Sequence, residues 1–286
     1  MKQQRVWFIT GASSGFGFEI SKAALASGAK VVATVRKNPE QLGKLLGNHP
    51  ELLVVVMDVT EEIGVKKAVK TALAKFGRID VLVNNAGYGF MGAIEEASDA
   101  EAKQQYNTNV FGVLNVIRAV LPSMRALRSG HIINVSSLFA FSARPAWALY
   151  GSTKFAIEGI SQGLAAELSP FGIKVTAVEP GLFTTDFLKS DAYRKAEVTI
   201  DDYENTIVGE VRRQSASHDG KQQGDPKKLA DVVVELVQSK NPPLHLPIGS
   251  DSLENYRTNA KQLAGDIEAW EKVSVTTDHQ KVRIAQ

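Results

Sequence analysis

The sequence predicts an α/β fold in which helices cover both faces of a doubly wound parallel sheet. Seven short apolar runs are rich in Val and Ile and lack polar alternation, as expected of strands that are buried on both faces. Longer segments with helical patterning alternate with these runs, which gives repeated β-α-β units. A chain of 286 residues with 44% hydrophobic and 22% charged residues fits one such domain with appendages.

The predicted strands are residues 6–10, 30–35, 52–57, 81–84, 131–136, 174–178 and 244–248, and the predicted helices are residues 15–27, 61–76, 100–128, 150–169 and 226–238. Residues 182–225 interrupt this alternation with a long, polar, irregular stretch. We expect a functional lid with short helices there. Residues 1–250 should form one domain, and residues 251–286 a C-terminal helical extension with a polar tail.

Charge and composition exclude several classes of function. The 33 basic and 31 acidic residues nearly cancel, and no block of like charge suggests nucleic acid or a membrane surface as a partner. The absence of cysteine removes disulfides, thiolate catalysis and Cys-based zinc sites, and the five scattered histidines suggest no metal centre. The apolar run near the N-terminus is too short for a signal peptide or a membrane span. We therefore expect a cytoplasmic protein.

The first strand-to-helix turn reads ITGASSGFGFEI and carries Gly11, Gly15 and Gly17. Ligands of open parallel sheets bind outside the carboxyl ends of the strands, next to such turns. Glycines permit a tight turn and let the backbone approach a pyrophosphate at the amides of a helix start. The alternative is a merely flexible turn. The context predicts a Rossmann-type dinucleotide site, to which Ser13, Ser14 and Phe16 of the same turn also contribute.

A second motif lies in the segment WALYGSTKF, where Tyr150 precedes Lys154 by four residues. Positions i and i+4 of a helix share one face, so the ammonium could favour the ionised phenol. The alternative is a surface neighbour pair, and this spacing alone does not decide between the two.

Motifs along residues 5–250 resemble, in order, those of the short-chain dehydrogenase/reductase family in its compact single-domain branch. They are TGASSGFG at 10–17, DVT at 58–60, NNAG at 84–87, NTNVFG at 107–112, INVSS at 133–137, YGSTK at 150–154 and PGLFTT at 180–185. Their order and spacing favour the catalytic interpretation of the Tyr-Lys pair.

The resemblance implies a catalytic role for four residues. Tyr150 would be the acid in reduction or the base in oxidation, and Lys154 would favour the phenolate and hold the nicotinamide ribose. Ser137, thirteen residues before Tyr150, would hold the substrate oxygen, with Ser136 as a strand-end neighbour. Asn109 would mark a helix kink whose exposed carbonyl holds a water near the lysine; otherwise it only satisfies the kinked backbone.

The resemblance also implies a cofactor site that extends along the strand ends. Asp58 would accept the adenine amino group, and Asn84, Ala86 and Gly87 would pack beside the adenosine ribose, with a purely structural role as the alternative for Asn84. Thr185 would contact the carboxamide or phosphates, with Thr184 as its rival. The remaining expected cofactor contacts are Val59, Pro180, Gly181 and Phe183, together with Tyr150 and Lys154.

The end of the second predicted strand favours NADP over NAD. NAD enzymes usually place an acidic residue there for the ribose 2'-hydroxyl. Here Val35 takes that position and Arg36 follows, so a guanidinium is available for a 2'-phosphate. In the alternative, Arg36 is a solvated helix-start residue. The glycine turn lacks the second basic residue that many NADP members carry.

Aromatic and apolar residues on or beside the motifs predict a hydrophobic substrate cleft. They are Tyr88, Phe90, Leu138, Phe139, Phe141, Trp147, Phe183 and Phe187. Of these, Phe139, Trp147 and Phe187 should touch the substrate together with Ser137 and Tyr150. Ala140 stands where many relatives have glycine, which leaves the shape of the cleft open. Arg144 could meet a carboxylate or could be an ordinary exposed arginine.

The sequence thus predicts an NADPH-preferring carbonyl reductase or alcohol dehydrogenase acting on a hydrophobic ketone, aldehyde or secondary alcohol. The alternatives are a non-catalytic dinucleotide-binding sensor on the same fold and an NAD-dependent alcohol dehydrogenase. A sugar-nucleotide epimerase is disfavoured by the glycine spacing and the short region after Gly181. Family members pair the helices that hold Asn109 and Tyr150 in a four-helix contact, so we expect a homodimer or homotetramer.

Overall fold

The computed structural model describes residues 4–185, 193–217 and 222–279. The predicted substrate contact Phe187 and part of the predicted lid lie outside these ranges. The strands are β1 (Val6–Ile9), β2 (Lys30–Val35), β3 (Leu52–Val56), β4 (Val81–Asn84), β5 (Gly89–Met91), β6 (Gly130–Val135), β7 (Ile173–Pro180), β8 (Tyr193–Lys195) and β9 (His245–Ile248). The helices are α1 (Gly15–Ala26), α2 (Pro39–Leu45), α3 (Glu62–Phe76), α4 (Asp99–Tyr106), α5 (Gly112–Leu127), α6 (Ala148–Leu168), α7 (Ile207–Ser217), α8 (Pro226–Gln238) and α9 (Ser250–Ser274).

Seven strands form one parallel sheet in the order β3-β2-β1-β4-β6-β7-β9. Residues of α1, α2 and α8 pack on one face, and residues of α3, α5 and α6 pack on the other. The predicted doubly wound α/β fold is confirmed. Strand order reverses beside β1, between β1 and β4, which is where open sheets of this kind bind ligands.

Buried β-branched and aromatic side chains hold the central strands between the two helical layers. Phe8 and Ile9 of β1 point to opposite faces, and both are fully buried, as is Val32 of β2. Each such side chain contributes about 1.5 to 3 kcal/mol through burial. The sheet is therefore a rigid base for the loops at its carboxyl edge.

Three short elements were not predicted. The seven-residue helix α2 begins at Pro39 after Asn38, which adopts a left-handed conformation with φ of 55°. The three-residue strands β5 and β8 pair with each other in a second, two-stranded parallel sheet. Such short segments carry too few residues for a periodic signal. The small sheet brings the chain after β7 over the loop that follows β4.

The long helix predicted over residues 100–128 is interrupted. Residues Asn107–Phe111 form a π-helical turn between α4 and α5, and Asn109 lies in it. Such turns widen a helix by one residue and are common at functional sites. By length and composition alone the stretch Asp99–Leu127 could cross a membrane, a property that core helices of soluble proteins share. In this fold α5 packs Val116, Ile117 and Val120 into the core beneath the sheet.

The described part of the lid contains β8, a short 3-10 turn at Asp201–Tyr203 and the helix α7. Arg212 of α7 forms ion pairs with Glu96, whose side chain is fully buried, and with Glu204. Backbone amides of Ala93 and Ile200 also donate to the Glu96 carboxylate. Glu96 therefore ties two parts of the lid, helix α7 and the backbone at Ile200, to the segment after β5.

The C-terminal helix α9 starts against the domain and then leaves it. Ser252 Oγ donates to the carbonyl oxygen of Glu179 at 2.7 Å, and Asn255 Nδ2 donates to that of Leu138 at 2.7 Å. Residues from Lys261 to the end of the described part of the helix are exposed. The first turns of the predicted extension thus belong to the wall of the domain.

Candidate active site

A cleft of about 690 Å³ opens at the carboxyl edge of the large sheet, between the glycine turn, β6, α6 and the described part of the lid. Most of the predicted site residues line this one cleft. They are Gly11, Ser13, Ser14, Gly15, Phe16, Arg36, Asp58, Val59, Ala86, Gly87, Ser137, Phe139, Trp147, Tyr150, Lys154, Pro180, Gly181, Phe183 and Thr185.

Three predicted residues lie behind the cleft wall. Asn84 Nδ2 donates to Asn134 Oδ1 at 2.9 Å, and the Asn84 side chain is buried in the sheet. Gly17 lies under the turn, and Asn109 lies inside the π-helical turn. The neighbour Asn85 lines the cleft, although it was not predicted. Asn85 Nδ2 donates to the carbonyl oxygens of Thr10 and Gly11 and so ties the β4 loop to the glycine turn.

The glycine turn has the shape that a dinucleotide pyrophosphate requires. Gly11 adopts φ of 66°, a left-handed conformation that favours glycine. A Cβ on Gly17 would lie 2.4 Å from the Gly11 carbonyl oxygen, so only glycine lets α1 start this close to the strand. The first turn of α1 has no side-chain cap and no acidic residue, which leaves its amides for an anion. The residues present fit a bound dinucleotide.

The end of the cleft predicted to hold the adenosine combines an ordered acidic turn with an exposed cation. Asp58 Oδ1 accepts hydrogen bonds from Thr60 N at 2.9 Å and from Thr60 Oγ1 at 2.8 Å. Arg36 follows β2, is exposed on the cleft wall, and has no hydrogen bond or ion pair with any residue that the structure describes. Val35 beside it is buried. A guanidinium without a protein carboxylate is available to a ligand anion.

Tyr150 and Ser137 meet at the nicotinamide end of the cleft predicted from the motifs. Ser137 follows β6, and its Oγ accepts from the Phe139 amide at 3.2 Å. Tyr150 lies in the first turn of α6. Burial raises the pKa of Tyr150 to about 12, and a hydrogen bond with the Ser137 side chain lowers it in part. The phenol therefore keeps its proton near neutral pH.

Lys154 lies one turn along α6 from Tyr150. Its Nζ donates to the Val135 carbonyl oxygen at 2.8 Å and lies 5.6 Å from the centroid of the Tyr150 ring. Burial lowers the pKa of Lys154 to about 8, while the nearby charge of Glu158 raises it. The ammonium is thus anchored to β6 beside the phenol.

Asn109 holds the bend of the long helix against the cleft wall. Its Oδ1 accepts from Tyr88 N at 3.1 Å, and its Nδ2 donates to the Tyr88 carbonyl oxygen at 3.0 Å. Asn109 Nδ2 also lies 3.2 Å from Thr153 Oγ1, which in turn donates to the Tyr150 carbonyl oxygen. The predicted kink is present, and Asn109 connects it to the helix that carries Tyr150.

The cleft wall around Tyr150 is aromatic and carries two arginines. The rings of Phe139 and Trp147 have centroids 6.2 and 5.9 Å from the centroid of Tyr150. The Arg144 guanidinium lies over Phe139 at 5.8 Å, and Arg194 lies over the Tyr88 ring at 4.6 Å. Sequence reasoning missed the lid contributors Arg194, Val211, Gln214 and Ser215, because no motif marks them.

Residue Thr185, and not Thr184, lies on the cleft wall. The Thr184 hydroxyl donates to the Gln222 carbonyl oxygen at 2.7 Å, and its amide donates to Gly224. Ser136 and Ser137 also have different surroundings. Ser136 lies beside the carboxyl of Glu158, whereas the Ser137 side chain is hydrogen-bonded to the Tyr150 phenol.

The chain matches the family model described as short chain dehydrogenase over residues 5–196. It is 39% identical to oxidoreductase BOA17 of Botryotinia fuckeliana, covering 96% of this chain and 99% of that protein. It is 38% identical to a 3-ketodihydrosphingosine reductase of Bacteroides thetaiotaomicron, covering 86% and 88%. The chain belongs to the short-chain dehydrogenase family and is an oxidoreductase of that family.

Solved structures agree with this family and with the fold. A short-chain dehydrogenase from Streptomyces avermitilis superposes with a TM-score of 0.89 at 37% identity, covering 97% of this chain and 100% of that one. A 3-ketoacyl-(acyl-carrier-protein) reductase from Brucella melitensis, complexed with NADH, has a TM-score of 0.74 at 30% identity, covering 88% and 100%. The protein ElxO with NADP bound has a TM-score of 0.72 at 28% identity, covering 88% and 100%.

Proposed function

We propose that the chain is an NADPH-preferring reductase of hydrophobic ketones or aldehydes that also oxidises secondary alcohols in reverse. The observation that carries this proposal is that Ser137, Tyr150 and Lys154 lie together on the wall of the cleft that contains the glycine turn. A dinucleotide sensor needs the turn but has no use for a buried proton donor beside a hydroxyl and an ammonium.

Tyr150 is the proton donor in this proposal. Because burial raises its pKa to about 12, the phenol is protonated at neutral pH and can donate to a carbonyl oxygen. Ser137, hydrogen-bonded to the phenol, is placed to hold the same oxygen. When bound, the nicotinamide supplies the hydride for the carbonyl carbon. Tyr150 supplies the proton, so the carbonyl becomes an alcohol.

Lys154 stabilises Tyr150 after the proton has left. A cation 5.6 Å from the phenol ring favours the phenolate, which lowers the cost of donation. An ammonium has three N–H donors, and one is used on Val135. The others can hold the hydroxyls of the nicotinamide ribose. Lys154 thus contributes to proton transfer and to cofactor binding.

The cofactor is a nicotinamide dinucleotide in this proposal, and Arg36 makes NADPH the preferred form. The glycine turn would hold the pyrophosphate, and Asp58, Ala86 and Gly87 would contact the adenosine. Related structures contain NADH in one case and NADP in another, so the family accommodates both. The exposed Arg36 guanidinium and the absence of an acidic residue at Val35 favour the 2'-phosphate.

The aromatic wall supports a hydrophobic carbonyl substrate. Phe139 and Trp147 lie beside Tyr150 and suit an aryl or alkyl group, whereas a sugar phosphate would lose hydration against them. Two similar proteins are named as reductases of ketones, which is consistent with reduction as the main direction.

The test is a turnover screen of purified protein with NADPH and with NADH against aryl ketones, aldehydes, steroids and quinones. A sugar phosphate ketose serves as the polar control, and Tyr150→Phe serves as the control for background oxidation of the cofactor. We expect turnover of at least one apolar carbonyl and none of the ketose phosphate. Tight NADPH binding with no turnover on any panel member would support the sensor instead.

A further inference from the structure

One helical turn beyond Lys154 on α6, three titratable side chains from three elements meet inside the protein. Glu158 of α6 and Glu179 of β7 are almost completely buried, and His245 of β9 is partly exposed. His245 Nδ1 lies 2.9 Å from Glu158 Oε2 and 3.1 Å from Glu179 Oε1. No step proposed above uses this group, which we call the acidic cluster.

The acidic cluster cannot hold two unprotonated carboxylates at low cost. The two carboxyls face each other with oxygens within 4.8 Å. Two negative charges at that distance repel, and burial disfavours the charged form of each carboxyl. Glu158 Oε1 and Glu179 Oε2 have no hydrogen-bond partner in the described structure by geometry, although the Ser136 hydroxyl lies beside the Glu158 carboxyl. A proton on one of the two carboxyls lowers the cost of burying them together. Burial, with the charge and hydrogen bond of Glu158, raises the pKa of Glu179 to about 9.

His245 Nδ1 faces both carboxyls, at 2.9 Å from Glu158 Oε2 and 3.1 Å from Glu179 Oε1, so an N–H at this atom can donate to either. On the other side of the ring, the exposed Gln162 amide lies 3.4 Å from His245 Nε2. With Glu179 protonated, the carboxylate charge of the cluster lies on Glu158.

Glu158 is placed to act on Lys154. The two residues are four apart on α6, so they share the helix face that also carries Tyr150. The charge of Glu158 raises the pKa of Lys154 against the effect of burial. The other groups that face the cluster are the Ser136 hydroxyl, from beyond β6, and Tyr256 of α9. Neither Ser136 nor Tyr256 is a cation. Among the described residues, the lysine that the Glu158 charge acts on is therefore Lys154.

We propose that Glu158, Glu179 and His245 form a proton-sharing cluster whose carboxylate charge, on Glu158, keeps Lys154 protonated during turnover. Glu158 supplies the charge, and Glu179 and His245 hold it in place by donating hydrogen bonds to it. All three are positioning residues, because they act through Lys154 and do not touch the reacting atoms. The inference rests on the proposed reductase activity for its kinetic readout only.

Two isosteric variants separate charge from structure. Glu158→Gln removes the negative charge, so the pKa of Lys154 should fall and the alkaline limb of kcat/KM should move to lower pH by about one pH unit. Glu179→Gln is the matched control, because glutamine is neutral and donates as the protonated Glu179 does. At pH values below 9, where Glu179 of the wild type keeps its proton, the Glu179→Gln variant should show the same alkaline limb of kcat/KM as the wild type. A purely structural role predicts equal effects of both variants, and that result would overturn the proposal.

Infrared spectroscopy tests the shared proton without turnover. Because it can be done on the wild type, it remains informative even when a variant does not fold. At neutral pH the wild type should show the carbonyl stretch of a protonated buried carboxyl, and Glu179→Gln should lack that band. Absence of the band from the wild type overturns the shared proton. A failed substrate screen with the band present would instead count against the reductase.

The same three side chains could be read as metal ligands, because their ligating atoms lie within 4.8 Å of one another. The contacts of 2.9 and 3.1 Å from His245 Nδ1 have the length of N–H···O hydrogen bonds, which is the interpretation that we test. Metal analysis of the purified protein settles the point. We expect substoichiometric metal and no effect of a chelator on turnover, whereas a stoichiometric divalent cation would refute the proton-sharing cluster.

Discussion

The phenol of Tyr150 is hydrogen-bonded to the Ser137 side chain, while the Tyr150 ring packs against Phe139 and Trp147. The position of the ring and the state of its hydroxyl are therefore controlled by different neighbours. The proton-donor role of the hydroxyl can therefore be tested by mutation, because removal of the hydroxyl leaves the ring contacts in place.

Tyr150→Phe should reduce turnover by at least about 100-fold, the lower end for loss of a positioned acid. Cofactor affinity should change little, because the ring stays and Lys154 keeps its hydrogen bond to Val135. Steady-state kinetics with a good substrate, beside NADPH titration by fluorescence, measure the two quantities. Turnover close to that of the wild type would show that Tyr150 is not the acid.

Arg212→Ala should raise KM for the carbonyl substrate several-fold while leaving NADPH affinity unchanged. Burial opposes ionisation of Glu96, and hydrogen bonds from Arg212 and two backbone amides outweigh it and lower the pKa of Glu96. Without Arg212, helix α7 loses its link to the segment after β5, and α7 carries Val211 and Gln214 of the cleft wall. Breaking such a buried pair also costs about 3 kcal/mol of stability.

Arg213→Ala is the matched control for this lid prediction. Arg213 is exposed and contacts Glu204, not Glu96. Its loss should leave KM and the melting temperature near the wild-type values. Equal effects of the two substitutions would mean that the Arg212–Glu96 pair does not position the lid.

Strand and helix patterns were sufficient to predict the seven strands of the main sheet, because Val and Ile runs such as β2 are buried on both faces. The motifs also located most of the cleft, since their residues stand at strand ends that the fold brings to one edge. The lid contacts could not be predicted, because Arg194 reaches the cleft only through the pairing of three-residue strands. The acidic cluster was missed because Glu158, Glu179 and His245 are far apart in sequence.

His131 should make folding stability fall in mild acid. Burial lowers its pKa from 6.5 to about 4, helped by the charges of Lys174 and Arg5. Below pH 6.5 the unfolded chain binds a proton there that the folded chain does not, so stability is lost as pH falls from about 6.5 to about 4. The loss from this group is on the order of 3 kcal/mol.

Denaturant unfolding at several pH values measures this effect. His131→Gln can still donate to Thr176, which lies 3.0 Å from His131 Nε2, but it does not titrate. The variant should therefore show a shallower fall of unfolding free energy across this pH range. Parallel curves for wild type and variant would exclude His131 as the source.

We expect the protein to assemble through the outer face of α5 and α6, as a homodimer or homotetramer. Phe111 in the π-helical turn is 54% exposed, and Phe155 of α6 is 44% exposed. Both stand close in sequence to buried residues of the site, Asn109 and Lys154, but their own side chains face outward. At the end of α4, just before the π-helical turn, Tyr106 Oη donates to Ser152 Oγ of α6 at 2.9 Å and ties the two helices together. Exposed aromatic side chains of this size are typical of contact surfaces.

Phe111→Asp with Phe155→Asp should shift the light-scattering mass to that of a monomer, with Leu263→Asp on the exposed part of α9 as the control. A monomeric wild type at micromolar concentration would refute the expectation. A monomer produced by the α9 control instead would place the contact on the C-terminal helix.

The predicted preference for NADPH depends on only two residues, Val35 and Arg36. A 2'-phosphate can accept paired hydrogen bonds from the exposed Arg36 guanidinium, whereas the ribose 2'-hydroxyl of NADH finds no acceptor in the side chain of Val35. A charge-assisted contact of this kind contributes about 1.5 to 3 kcal/mol, less what solvent screening removes at an open site. Wild-type protein should therefore prefer NADPH by about tenfold or more.

Val35→Asp combined with Arg36→Ala should reverse this preference. The new carboxylate repels a 2'-phosphate but accepts a hydrogen bond from the 2'-hydroxyl, so NADPH should weaken strongly while NADH stays equal or improves. Lys37→Ala is the control, since Lys37 is an adjacent exposed cation outside the cleft wall. The measurement is kcat/KM for both cofactors on one substrate. If the wild type prefers NADH, or the double variant keeps its NADPH preference, Arg36 does not bind the phosphate; a loss in Lys37→Ala alone would assign that role to Lys37.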